Sequence, residues 1–178
     1  MKWRLFSHQG VSYDLSHLDP FEWYYTARAR GKRSERTYRF HVTFSMHCFT
    51  RGSLIDEKVS EGLWYEGPRE KRVFCFDRYE LSRQLPAIIR SLGDRNCYHT
   101  SHGNFFTVEL ITEEGKRIEY EVYFDVIRAG RKGWLNLIVN SAYERTKDNE
   151  TARLRKRKIH LDVIAYNRQS GKGVHPGR

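Results

Sequence analysis

Three cysteines in 178 residues, scattered at Cys48, Cys75 and Cys97, leave this chain without a disulfide framework. An odd count of isolated thiols fits a reducing compartment. No stretch approaches the roughly 20 apolar residues that a membrane-spanning helix needs, and no charged-then-apolar leader opens the chain. A cytoplasmic protein that makes no use of a membrane is therefore expected. Internal repeats are absent, and so are a paired C-x-x-C spacing and any decisive catalytic signature. Acidic residues are in short supply, with 22 Asp/Glu against 32 Lys/Arg and a formal net charge of +10. That balance favours a polyanionic partner, with nucleic acid ahead of an anionic membrane surface. From Arg145 to the C-terminus there are ten Lys/Arg and three Asp/Glu, so this last fifth supplies +7 of the charge.

Aromatic residues, by contrast, are plentiful at 14%, which predicts a bulky core and several half-exposed tyrosines and tryptophans. The stretch from Asn104 to Arg145 alternates apolar and polar residues and reads as three antiparallel strands. Phe106, Val108 and Leu110 form one row, and Ile118, Tyr120, Val122, Phe124 and Val126 form another. A three-residue loop, Glu113-Glu114-Gly115, would pair Thr112 with Lys116 and set Glu109 opposite Glu119. A two-residue turn beginning at Gly130 would set Val126 opposite Leu135, with Ser141 and Tyr143 on the core side.

The N-terminal half offers a hairpin. Phe21, Trp23, Tyr25, Ala27 and Ala29 alternate with polar residues, and Tyr38 to Cys48 does the same. A long loop is expected from Thr50 to Arg72. Asp77 then looks like a helix N-cap, and Leu81, Leu85, Ile88, Ile89 and Leu92 follow one helical stripe that Pro86 should kink. Ile159, Leu161 and Val163 suggest a last strand. The expected fold is α+β: an antiparallel meander of about six to eight strands with one kinked helical segment on one face. Residues 1–166 would form a single domain and 167–178 a disordered basic tail.

Two groups of residues could carry function. The first is histidine-centred, since His47, His99 and His102 can move protons near neutral pH and Arg51 can stabilise charge on a phosphate. Metal-independent cleavage of RNA would need that set, with His47 and His102 exchanging protons, no cofactor and no metal. The alternative for these histidines is hydrogen bonding within loops. Zinc binding by Cys97, His99 and His102 is the weaker of the metal readings, because buried free thiols are the commoner fate of such cysteines. Magnesium on an acidic face of Glu109, Glu119, Glu121 and Asp125 is set against neutralisation of those acids by basic side chains. The second group is basic: Arg28, Arg30 and Arg39 on the outward face of the hairpin, and Arg153, Arg155, Lys156, Arg157 and Lys158 in the RLRKRK run. Such residues neutralise phosphates and make binding salt-dependent. RNA is preferred over DNA as the partner; the alternatives are a non-catalytic regulatory protein and a basic protein that docks on an acidic neighbour.

The order of a helical segment, YEVYFDVIR, a short turn, LNLIVNSAYER and a basic strand resembles the RelE/ParE-like toxins of the barnase–EndoU–colicin–RelE superfamily. The resemblance spans about Asp77 to Tyr166 and is one of layout. It implies a helix packed on an antiparallel sheet, RNA cleavage without metal, and a cognate inhibitor protein as partner.

Overall fold

The computed structural model describes residues 1–29, 34–100, 102–113, 116–145 and 157–174. Its centre is a seven-stranded sheet in the order β12-β8-β9-β10-β11-β4-β3. These strands are β3 (Phe21–Ala27), β4 (Arg36–Phe44), β8 (Cys97–His99), β9 (Phe105–Glu113), β10 (Lys116–Arg128), β11 (Trp134–Glu144) and β12 (Lys158–Ile159). Every neighbour pair is antiparallel except β4 and β11, which run parallel. The sheet is thus mixed, where a purely antiparallel meander was expected. The two strands are far apart in the chain, so the connection is long enough for either direction, and both carry apolar rows on one side. Those rows, Tyr38, Phe40, Val42 and Phe44 on β4 and Leu135, Leu137 and Val139 on β11, define the inner face and are buried. A fully buried side chain of this size contributes about 1.5–3 kcal/mol.

Two register slips in the central strands had opposite consequences. The turn after β10 is longer than two residues: Ala129 donates to the carbonyl of Trp134 at 3.0 Å, and Gly133 takes a left-handed φ of +80°. Val126 therefore faces Leu137, and Phe124 faces Val139. A slip of two preserves which face each residue occupies, so the apolar rows still meet. On the other side, Glu113 pairs with Lys116, one residue out of the expected register. A slip of one exchanges the faces of β9. Phe105 and Thr107 lie beside Phe124 and Val122 in the core, whereas Leu110 is 48% exposed. Glu109 faces Tyr120, away from Glu119, and pairs with Arg95.

A bulge completes the correction. Between Tyr123 and Phe124 the pairing with β11 shifts by one residue, so Val122 faces Ala142 and Tyr123 faces Ser141. An extra residue re-aims everything beyond it. Ser141 and Tyr143, expected on the core side, therefore share the outer face with Glu121 and Tyr123.

Helices close the inner face. The stripe around Pro86 forms two short helices, α1 (Phe76–Ser82) and α2 (Leu85–Arg90), with Pro86 in the first turn of α2. That is the bent segment expected from the sequence, because proline is tolerated where no intrahelical donor is needed. Asp77 lies inside the first turn, and Cys75 holds the N-cap position. The expected strand over Ile159, Leu161 and Val163 is overturned. Only Lys158–Ile159 pairs with β8, and α3 (Leu161–Gln169) follows. Leu161, Ile164 and Ala165 fall at i, i+3 and i+4 and are all buried, a helical period that outweighs the three-residue alternation. Asn167 to Gln169 lie in α3 and Val174 is buried, while 175–178 lie outside the described residues.

The expected long loop also contains strands. β5 (Thr50–Arg51), β6 (Trp64–Glu66) and β7 (Lys71–Phe74) form a three-stranded sheet, and β1 (Phe6–His8) pairs with β2 (Val11–Tyr13). Phe6, Phe49, Tyr65 and Phe74 join these small sheets to the same buried cluster as the main one. Among the described residues no helix is long and apolar enough to cross a membrane.

Candidate nucleic-acid interface

The hairpin of β3 and β4 builds the most exposed aromatic and cationic surface. Alternation sends Glu22, Tyr24 and Thr26 outward from β3, and their direct partners on β4 are His41, Arg39 and Thr37. Arg39 also lies level with Trp134 of β11. One row across three strands therefore reads Tyr24, Arg39, Trp134. Tyr24 is 57% exposed, and its ring meets that of Trp134 edge-on with centroids 6.0 Å apart. Arg131, in the β10–β11 turn, lies 4.4 Å from the Trp134 ring centroid and 3.6 Å from Glu22. Trp134 is only 4% exposed as a result. Beside the row, Glu22, His41, Arg131, Trp134 and Asn136 line a shallow hollow. Lys132 is exposed in the same turn as Arg131, whereas Arg28 follows the end of β3 and Arg128, opposite Leu135, falls on the inner side.

Farther along the outer face a second aromatic series crosses four strands. Tyr98 and Phe106 lie 5.3 Å apart, Phe106 and Tyr123 stack at 5.4 Å, and Tyr123 and Tyr143 stack at 5.4 Å. The Arg78 guanidinium, from α1, lies 5.2 Å from the Tyr143 ring and donates to the carbonyls of Thr50 and His47. β4 ends at Phe44, so among the described residues no strand lies on that side of β11 beside residues 140–144, and α1 packs there instead. Burial lowers the pKa of Arg78 from its ordinary value.

Acidic groups on this half are held internally. Tyr123 donates to Glu121 at 2.7 Å, and Arg145 lies 3.6 Å from Glu121 and 3.9 Å from Glu119. Burial, followed by the hydrogen bonds to Tyr143 and Glu121, pushes the Tyr123 phenol up. Asp125 is 3.6 Å from Arg168. Among the described residues no three His, Cys, Asp or Glu side chains converge as metal ligands.

The four residues expected to act on RNA are divided between distant places. His47 sits in the turn after β4, where Nε2 is 2.7 Å from Glu70, itself 3.3 Å from Arg72. Arg51 makes a two-pronged pair with Glu57, at 2.7 and 2.5 Å, and this pairing holds the Glu57 carboxyl down to about 2. His99 lies on β8, its ring 5.4 Å from that of Phe105, and His102 is exposed in the following turn. Three strands separate β8 from β4, about 19 Å across the sheet. Cys97 is fully buried beside Thr107, and burial pushes its thiol up to about 12.

The basic residues divide as well. Arg28 and Arg39 belong to the hairpin. Arg157 and Lys158 lie at the opposite edge of the sheet, where Lys158 faces Tyr98. Arg30, Arg153, Arg155 and Lys156 lie outside the described residues. Sequence reasoning missed Trp134 and Arg131, because only the parallel pairing of β11 with β4 brings them to the hairpin. It also missed the aromatic series, whose signal was hidden by the one-residue slip in β9.

These features define a mixed α/β protein with an aromatic and cationic surface at one end of a seven-stranded sheet. The sequence profile of the YjaZ family matches residues 5–169, which takes in every strand and helix described above. Protein YjaZ of Escherichia coli (strain K12) is 36% identical over 171 residues, which covers 93% of this chain and 90% of that protein. The chain belongs to the YjaZ family. No solved structure matches it.

Proposed function

We propose that this protein binds single-stranded nucleic acid, RNA in preference to DNA, on the outer face of β3, β4 and β11. The observation that carries the reading is the row Tyr24–Arg39–Trp134, in which an arginine lies between two aromatic rings on an open sheet face. An exposed ring such as Tyr24 offers a base a stacking partner, and Arg39 lies where the adjoining phosphate would run. Arg131 and Lys132 add cations beside the row, and Arg28 adds one farther along the hairpin. His41, Glu22 and Asn136 supply the hydrogen-bonding groups that a 2′-hydroxyl would meet, the feature that separates RNA from DNA. Binding without cleavage is the form proposed, because His47 is engaged by Glu70 and stands far from His99 and His102.

Fluorescence anisotropy with labelled single-stranded RNA tests it. Affinity should fall with salt at a log–log slope of about −3, which corresponds to roughly four phosphates neutralised on a single strand. Arg39→Glu should weaken binding and flatten that slope. An affinity too weak to measure at low salt, or one that Arg39→Glu leaves unchanged, overturns the proposal.

A further inference from the structure

β3 is an edge strand of the main sheet, and of the devices that keep edges from pairing it carries only the charge of Glu22. It is seven residues long, with no lysine, no proline and no bulge between Phe21 and Ala27. Short edge strands, inward charges and bulges are the usual defences, and an edge without them is a template for another strand. Among the described residues, no backbone group on its free side is hydrogen-bonded outside the pairing with β4. Alongside the free edge lies a hollow lined by Tyr25, Ala27, Arg28, Gly93, Asp94 and Asp162. A Cβ on Gly93 would come within 2.3 Å of the Tyr25 ring, so the glycine lets that ring lie against the turn.

We propose that a second copy of this chain pairs with β3 in antiparallel fashion, making a two-fold dimer with a continuous sheet. Faces and charge select the register. A two-fold axis perpendicular to the sheet maps outer face onto outer face, so directly opposed residues must share parity. Centring the axis at Tyr25 sets Glu22 opposite Arg28 of the second copy, Trp23 opposite Ala27 and Tyr24 opposite Thr26. Glu22 and Arg28 are both exposed and share the parity that opposed residues need, so the symmetry gives two cross-strand ion pairs. Centring at Tyr24 would set Glu22 opposite Thr26, and centring at Trp23 would set it opposite Tyr24; neither pairs a charge. Tyr25 and Trp23, half-buried within one copy, become covered in the dimer. The two outer faces then lie on the same side, with one Tyr24–Arg39–Trp134 row on each side of the axis. The dimer stands whether or not that face binds RNA.

Sedimentation equilibrium of the full chain over a range of concentrations tests the pairing. The wild-type protein should approach twice its 21.3 kDa mass as concentration rises. Glu22→Lys and Arg28→Glu should each shift the protein to monomer, because each sets like charges across the axis, and the double variant Glu22→Lys/Arg28→Glu should restore the dimer. Circular dichroism confirms that each variant remains folded, and concentration-dependent protection of β3 amides from hydrogen exchange locates the contact. A wild type that stays monomeric throughout overturns the proposal. So does a dimer that both single variants leave unchanged, which would place the contact elsewhere.

Discussion

The two ends of the sheet's outer face use the same side-chain types for different ends. On β8 to β11, aromatic rings stack on one another and carboxylates are matched by Arg145 and Arg168. On β3 and β4, Tyr24 stands 57% exposed, and Arg39 beside it is exposed without a carboxylate opposite, since its cross-strand partners are Tyr24 and Trp134. Aromatic content and charge therefore do not by themselves mark a binding surface. What separates the two regions is that Tyr24 and Arg39 stay exposed, although Trp134 and Arg131 beside them are already engaged. A stacked, ion-paired face contributes to stability, and an exposed ring beside an exposed cation is available to a ligand.

That contrast can be broken by experiment. The largest effect is expected from Tyr123→Ala, which removes the middle of the stacked series and the donor to Glu121. Urea unfolding should show a loss of about 3 kcal/mol, with RNA affinity retained at temperatures where the protein is folded. Equal loss of RNA binding in the folded variant would erase the distinction between the two ends. Arg145→Ala comes next. It leaves Glu121, 6% exposed, without its cation, and should cost about 2 kcal/mol.

Tyr24→Ala inverts the pattern. Its stability should change by less than about 0.5 kcal/mol, typical of exposed positions, while RNA affinity falls by about 1–3 kcal/mol, the range for one stacked base. Anisotropy and urea unfolding on the same sample check both halves of that statement.

The smallest effect concerns acidity away from either surface. His17 Nε2 lies 2.8 Å from the Ser82 hydroxyl, which donates to the carbonyl of Tyr79. Burial, and then the charge of Arg83, lowers the His17 pKa below its ordinary 6.5. A histidine with a lowered folded pKa binds its proton more readily when unfolded, so stability is intact above pH 6.5 and is lost as pH falls through that value toward the folded pKa. His17→Gln should flatten the stability–pH curve in that window, and an unchanged curve would assign the acid sensitivity elsewhere.

Much of the fold was legible in the sequence. Alternation located β3, β4, β9, β10 and β11, and Pro86 announced the break between α1 and α2. The parts that were not legible have identifiable causes. Three alternating residues at 159–163 hid the helical spacing of Leu161, Ile164 and Ala165, because a short window satisfies both periods. The outward basic hairpin was readable because it depends on one local pairing. The partners of His47 and Arg51, Glu70 and Glu57, come from a stretch that shows no period from which their positions could be derived.

The sequence alone determined the local propensities: which segments extend, which coil into helices, where the charge accumulates, and that Tyr24 and Arg39 point the same way. Tertiary structure decided register and neighbourhood. One residue of slip in β9 and one bulged residue in β11 moved Leu110, Ser141 and Tyr143 to the outer face, and the parallel contact of β4 with β11 set Trp134 beside Arg39. The physical reason is the two-residue period of a strand. Alternation within a strand is fixed by its own sequence, but which face meets the core depends on pairings between distant segments, and a shift of one residue reverses it.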